Sequence, residues 1–139
     1  MQNSGLTAGS VFANRFEIVG PAGEGGMGTV YRARDRVSGD TVALKLLHKG
    51  SSRKKDGSLR FDREAQLLSE LHHPAIVAHI THGKTSEGQP FLIMEWLDGE
   101  DLDSRLLRGP LSLRDSLALV DRVAGGLAVA HERGILHRD

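Results

Sequence analysis

The chain has 139 residues, 39% of them apolar and only 4% aromatic, with 18 basic residues matched by 18 acidic ones. One ordinary domain fits that length, its core drawn mostly from Leu, Val, Ile and Ala, and the neutral balance gives no case for a nucleic-acid or anionic-membrane partner. The lack of cysteine excludes a disulfide framework or thiolate metal site, and with no leader-like or membrane-length apolar run, a cytoplasmic setting is expected.

Residues 1–14 are small and polar and are expected to fray, apart from Val11 and Phe12. Phe16, Ile18 and Val19 open a strand, and Pro21–Gly28 reads as a glycine-rich turn. Thr29–Arg34 is the returning strand, Val37-Ser38-Gly39-Asp40 carries hairpin chemistry, and Thr41–Leu47 is a third strand. His48–Ser58 is a polar, basic loop. Leu59–Leu71 has helical spacing, with Phe61, Ala65, Leu68 and Leu71 on one stripe, and Pro74 bars its continuation. Ala75–Ile80 and Gln89–Trp96 read as two further strands joined by a hairpin at 84–88. Asp98-Gly99-Glu100-Asp101 forms a polar joint before a short helix at Leu102–Leu107. Ser112 and Asp115 resemble a capping box, although Asp stands where Glu serves better. A long amphipathic helix follows, its stripe formed by Leu113, Leu117, Val120, Ala124, Leu127 and His131, and ends at Gly134. Ile135 and Leu136 suggest one more strand. The coarse plan is α+β: a five-stranded antiparallel sheet with one inserted helix, then helices.

Gly23-Glu24-Gly25-Gly26-Met27-Gly28-Thr29-Val30 fits G-x-G-x-x-G-x-V, a pattern that brings backbone N–H groups close to phosphate oxygens. A dinucleotide site needs a helix after the glycines, and here a strand follows. A Walker loop needs a closing Gly-Lys-Ser/Thr, which is missing. A glycine-rich hairpin without a ligand stays open on this motif alone. Lys45, mid-strand among apolar residues, shares a strand face with Ala43. If that face is inward, the lysine needs an anionic partner, and Glu64, one turn before Leu68, is the candidate. A solvated lysine and a surface glutamate are the plainer alternatives for each residue alone.

Taken in order, the glycine-rich hairpin, Ala43-Leu44-Lys45, Glu64, Met94-Glu95 and the closing His137-Arg138-Asp139 resemble the eukaryotic-like protein kinases. Phe16-Glu17-Ile18-Val19, Val30-Tyr31-Arg32-Ala33-Arg34-Asp35, Arg63-Glu64-Ala65 and His73-Pro74-Ala75-Ile76-Val77 look closest to the bacterial serine/threonine kinases. The resemblance runs from about Val11 to Asp139. It implies a kinase N-lobe and hinge over 15–97, after a flexible 1–14, and the start of an incomplete, mainly helical C-lobe over 98–139.

The resemblance implies a site residue by residue. Gly23, Glu24, Gly25, Gly26, Met27 and Gly28 form the loop over the ATP phosphates. Lys45 holds the α- and β-phosphates and pairs with Glu64. Val30 and Ala43 cover the adenine, and Met94 closes the back of its pocket. The C=O of Glu95 and the N–H of Leu97 meet the adenine edge, with Asp101 near the ribose. Asp139 accepts the proton of a protein hydroxyl. ATP and Mg2+ are the implied cofactors, a protein the implied substrate. The family's Mg2+ ligands follow the position of Asp139, so the expectation for these 139 residues alone is no phosphoryl transfer. A kinase-like module that binds nucleotide or a partner without catalysis is the alternative. Ala22 replaces a larger aliphatic residue over the adenine, and Trp96 a more usual Tyr.

Other features have ordinary readings. The histidines, including His72, His73, His79 and His82, are expected in loops and on the surface and not around a metal, and His131-Glu132 lacks the second helical histidine of a zinc motif. Arg53-Lys54-Lys55 is balanced by Asp56 and Asp62 and reads as a solvated loop.

Overall fold

The computed structural model describes residues 6–26, 28–48 and 65–136. Its frame is an antiparallel sheet of six strands: β1 (Val11–Phe12), β2 (Phe16–Gly25), β3 (Gly28–Asp35), β4 (Thr41–Leu47), β5 (His79–Lys84) and β6 (Pro90–Glu95). Their spatial order is β1-β2-β3-β4-β6-β5. Helical residues 65–69 (α1) precede β5, and α2 (Leu102–Leu106) and α3 (Leu113–Glu132) follow β6.

Period-two alternation decides which face is dry. Phe16 and Ile18 of β2, Tyr31 and Ala33 of β3, Val42, Leu44 and Leu46 of β4, and Phe91 and Ile93 of β6 form one buried cluster with Phe12. Leu44, Ile93 and Ile18 are essentially sealed, so truncating any of them to Ala should cost about 2–5 kcal/mol. Phe12 meets Phe91 edge-on, with ring centroids 4.8 Å apart.

The structure departs from expectation at five places. A sixth, two-residue strand joins the sheet: Val11 and Phe12 pair with Glu17 and Phe16, and the amide of Leu6 donates to the Tyr31 hydroxyl at 3.3 Å. Phe12 joins the buried cluster, and Leu6, in the part of the segment expected to fray, packs against it. The glycine-rich segment is mostly strand. β2 continues to Gly25, which pairs with Gly28, since glycine removes a side chain but leaves both backbone hydrogen-bonding groups. Pro21 is tolerated there because β1 has already ended and β2 is an edge strand.

The strand expected over Ala75–Ile80 begins at His79, and a turn occupies 74–76, where Ile76 N–H donates to His73 C=O at 3.0 Å. Ile135 and Leu136 form no strand. Of the helix expected over Leu59–Leu71, residues 59–64 lie outside the described residues, 65–69 are helical, and 70–71 are not.

The long helix runs over Leu113–Glu132, close to its expected span, and leaves most of its apolar stripe uncovered. Gly126 is its one buried residue, seated on Ala75 and Ile76, whereas Leu113, Leu117 and Val120 are exposed. Glycine at 126 leaves no side chain to hold the helix away from the 73–76 turn. Its N-cap is half of a capping box. Ser112 Oγ accepts from Asp115 N–H at 3.1 Å and donates to Asp115 Oδ2 at 2.7 Å. The aspartate is one methylene shorter than Glu and meets the cap's hydroxyl.

Candidate active site

On the face opposite the core, strand pairing sets out two rows. Val30, Lys45 and Leu92 are successive partners across β3, β4 and β6, and Arg32, Ala43 and Met94 form the neighbouring row. Directly paired residues on antiparallel strands share a face with Cβ atoms about 5 Å apart. Val30, Ala43, Lys45 and Met94, the set that the family resemblance implies, thus stand side by side. Lys45 is half-buried and has no ion-pair partner among the described residues. Glu64, Met27, His137, Arg138 and Asp139 lie outside the described residues.

The glycine-rich hairpin rises from the Val30 end of this surface. Ideal Cβ atoms on Gly23, Gly25 or Gly26 would meet nothing within 4 Å. Neither packing nor a left-handed backbone requires glycine at these three positions, so their effect is to leave bare backbone facing solvent. Gly28 is different, because β4 backbone fills the space its side chain would need. Glu24 is exposed. The His48 ring Nε2 donates to Gly25 C=O at 3.1 Å, fastening the hairpin tip to the end of β4.

At the far end, Glu95 closes β6. Its N–H donates to Ala78 C=O at 3.0 Å, and its Oε1 accepts from Ala78 N–H at 2.7 Å. The carboxylate is thus used to hold the strand end, and only backbone is left for a ligand. Leu97 is exposed. Trp96 Nε1–H donates to Asp98 Oδ1 at 3.0 Å, and the Arg32 guanidinium lies over the Trp96 ring at 5.1 Å. Asp101 caps α2, its Oδ1 accepting from Ser104 N–H at 2.6 Å, and hydrogen bonds from Ser104 hold its carboxyl below the usual range. Any ribose contact by Asp101 shares the group with this cap. Glu100 forms a two-point pair with Arg108, which likewise lowers its pKa.

Sequence reasoning missed several pairings. Arg15 donates to both carboxylate oxygens of Asp35, at 2.8 and 2.6 Å, and Asp35 is 2% exposed. The guanidinium holds the Asp35 carboxyl at about 2. His79 and His82 share a face because the pairing of β5 with β6 slips between His79 and Thr81, and their ring nitrogens lie 3.0 Å apart. Burial, then His82, holds His79 below the ordinary histidine range. The two rings bond to each other, and no group of three potential ligands able to hold a metal occurs among the described residues. The slip at Ile80 has no signal in sequence. The Arg32 position does have one, since it stands two residues after Val30 on the same face.

The arrangement suits a particular chemistry. Val30, Ala43 and Met94 form an apolar floor for a flat ring, Lys45 supplies one cation beside it, and the open glycine backbone can approach oxyanions. Residues 16–139 match the family described as the protein kinase domain. The chain is 40% identical over 129 residues to serine/threonine-protein kinase pkn2 of Myxococcus xanthus, covering 93% of this chain and 15% of that protein. It is 39% identical to serine/threonine-protein kinase PknJ of Mycobacterium tuberculosis over 134 residues, 96% of this chain and 22% of the relative. Among solved structures, the PknI kinase domain of Mycobacterium tuberculosis superposes with a TM-score of 0.85 at 33% identity, covering 97% of this chain and 55% of that one. The chain therefore spans about a fifth of these curated relatives and about half of a solved kinase domain.

Proposed function

The chain belongs to the protein kinase domain family, and from that premise we propose that it forms the nucleotide-holding part of an ATP-dependent serine/threonine protein kinase. The observation that carries this reading is the placement of Val30, Ala43, Lys45 and Met94 on one face, beside a hairpin whose Gly23, Gly25 and Gly26 leave bare backbone.

In this reading the adenine lies on Val30 and Ala43, with Met94 behind it. Its polar edge meets the C=O of Glu95 and the N–H of Leu97. The backbone of 23–26 covers the phosphates, and Lys45 neutralises the α- and β-phosphate oxygens while Glu64 holds the lysine in place. Asp139 accepts the proton of a serine or threonine hydroxyl on a protein substrate. Phosphoryl transfer depends on positioning and charge neutralisation, which this half-site supplies for the nucleotide alone. Among the described residues no group of three acidic or histidine side chains could hold a metal ion. These 139 residues on their own are expected to bind ATP without transferring its γ-phosphoryl group. A cytoplasmic setting and the absence of a nucleic-acid partner belong to the same reading. Among the described residues no helix is long and apolar enough to cross a membrane.

The test is thermal unfolding with and without ATP for the chain and for Lys45→Met. Nucleotide at a hundredfold excess over its Kd adds about 2.7 kcal/mol and raises Tm by several degrees. Lys45→Met should fold normally and lose most of that rise. Equal rises in both proteins, or none in either, would overturn the assignment.

A further inference from the structure

Arg32 stands on the nucleotide face without a role in the site described above. Alternation along β3 turns it to the same side as Val30, and pairing puts it in a row with Ala43 and Met94. Its side chain is exposed, yet its guanidinium carbon sits 5.1 Å from the centre of the Trp96 ring. Trp96 is the single tryptophan of the chain. It follows directly on the last residue of β6, and its indole N–H is tied to Asp98.

No strand pairing accounts for this contact. β3 pairs with β2 and β4, and β6 ends at Glu95. Arg32 reaches past β4 on the side where Ala43 presents only a methyl group, and lands on the segment beyond the sheet. A cation over an indole face is attracted by the ring's negative face. The carboxylate of Asp98, at the N–H edge, prevents the ring from swinging away. Arg32, Trp96 and Asp98 thus form a clasp between the strand that carries Val30 and the backbone that runs through Glu95 and Leu97.

We propose that Arg32 is a positioning residue for nucleotide binding: acting through Trp96, it holds 96–98 against the sheet so that the Glu95 C=O and Leu97 N–H face the slot bounded by Val30 and Ala43. The inference rests on the nucleotide reading given above. Without the clasp the exposed segment at Leu97 samples more conformations. Apparent affinity then falls by the fraction of molecules whose hinge backbone is in place. A cation–π contact of this partly exposed kind corresponds to about three- to tenfold in Kd.

The experiment is calorimetric titration of the chain with ATP for wild type, Arg32→Ala, Arg32→Lys and Trp96→Phe, with acrylamide quenching of the Trp96 emission in the nucleotide-free chain. Arg32→Ala should weaken binding about three- to tenfold and raise quenching, with an unchanged circular dichroism spectrum. Arg32→Lys keeps the cation and should recover part of the affinity, which a merely structural residue would not show. Trp96→Phe keeps a ring but loses the tie to Asp98, and should lie between wild type and Arg32→Ala. Wild-type affinity in Arg32→Ala, or unchanged quenching, would overturn the proposal. If Arg32→Ala does not fold, wild-type affinity in both Arg32→Lys and Trp96→Phe overturns it equally. Failure of the wild-type chain to bind ATP would instead remove the nucleotide reading, and this inference with it.

Discussion

An ideal Cβ on Gly28 would fall 2.3 Å from the carbonyl oxygen of Leu46 and 2.9 Å from the Cα of Leu47. β3 and β4 approach so closely at this rung that backbone occupies the space of a side chain. The last glycine of the motif is therefore fixed by the sheet, while Gly23 and Gly25 are free of any such contact. One short pattern combines two separate physical requirements.

The distinction can be measured. Gly28→Ala must displace β4 backbone, and should destabilise the chain by about 3 kcal/mol in urea unfolding. Gly23→Ala and Gly25→Ala should change stability by less than about 1 kcal/mol and should act on ATP affinity, because their added methyls stand where phosphate must approach. Equal losses of stability in all three variants would contradict the assignment.

The ion pair between Arg15 and Asp35 makes stability depend on acid. Asp35 titrates at about 2 when folded, against 3.8 for an ordinary aspartate. A depressed carboxylate pKa contributes stability that is complete above the unfolded value and is lost as pH falls through the folded one. Urea midpoints of the wild-type chain should therefore decline from about pH 4 towards about pH 2. Asp35→Asn should be less stable than wild type at pH 5, and the gap should narrow as pH approaches 2. A gap that stays constant over this window would show that the charge is not responsible.

Gly126 offers a test of how α3 is seated. An added Cβ would lie 3.4 Å from Ile76 Cγ1 and 3.5 Å from the Ala75 Cβ, ordinary contact distances. Alanine also gains about 0.8–1.0 kcal/mol over glycine inside a helix. Gly126→Ala should leave the chain as stable or slightly more so, whereas Gly126→Leu should lift α3 off the 73–76 turn and lower Tm. Tolerance of leucine would mean that the helix is not held there.

Limited proteolysis should cut first between Gly99 and Gly109. α2 within this stretch has no buried residue, and Leu107 is 84% exposed. Local unfolding, which proteases require, is cheapest where few apolar contacts must break. Subtilisin digestion followed by mass spectrometry should yield a core ending near residue 100, and uniform protection along the chain would argue against this.

Much of the frame was legible because it depends on near neighbours in sequence. Thr41–Leu47 was read as a strand, and the three-four spacing from Leu113 onward gave a helix expected to end at Gly134 and observed to end at Glu132. The same alternation put Ala43 with Lys45, while Val30 and Met94 were assigned through family resemblance and the register set them beside that pair. What was misread depends on distant partners. Val11–Phe12 is too short to announce itself, and becomes a strand only because Phe16 and Glu17 offer an edge. The seating of Gly126 on Ala75 and Ile76 joins residues some fifty positions apart, and no local pattern marks it.

Local periodicity and the chemistry of single side chains were enough to place β2, β3, β4, β6 and the long helix, the motifs that mark the family, and the residue types available for a nucleotide. Only the tertiary structure decided that β4 lies beside β6, that Gly28 is held by Leu46, that Arg15 neutralises a buried Asp35, and that Arg32 reaches Trp96. Each of these joins residues far apart along the chain, and register across strands, which no local pattern encodes, sets which of them meet.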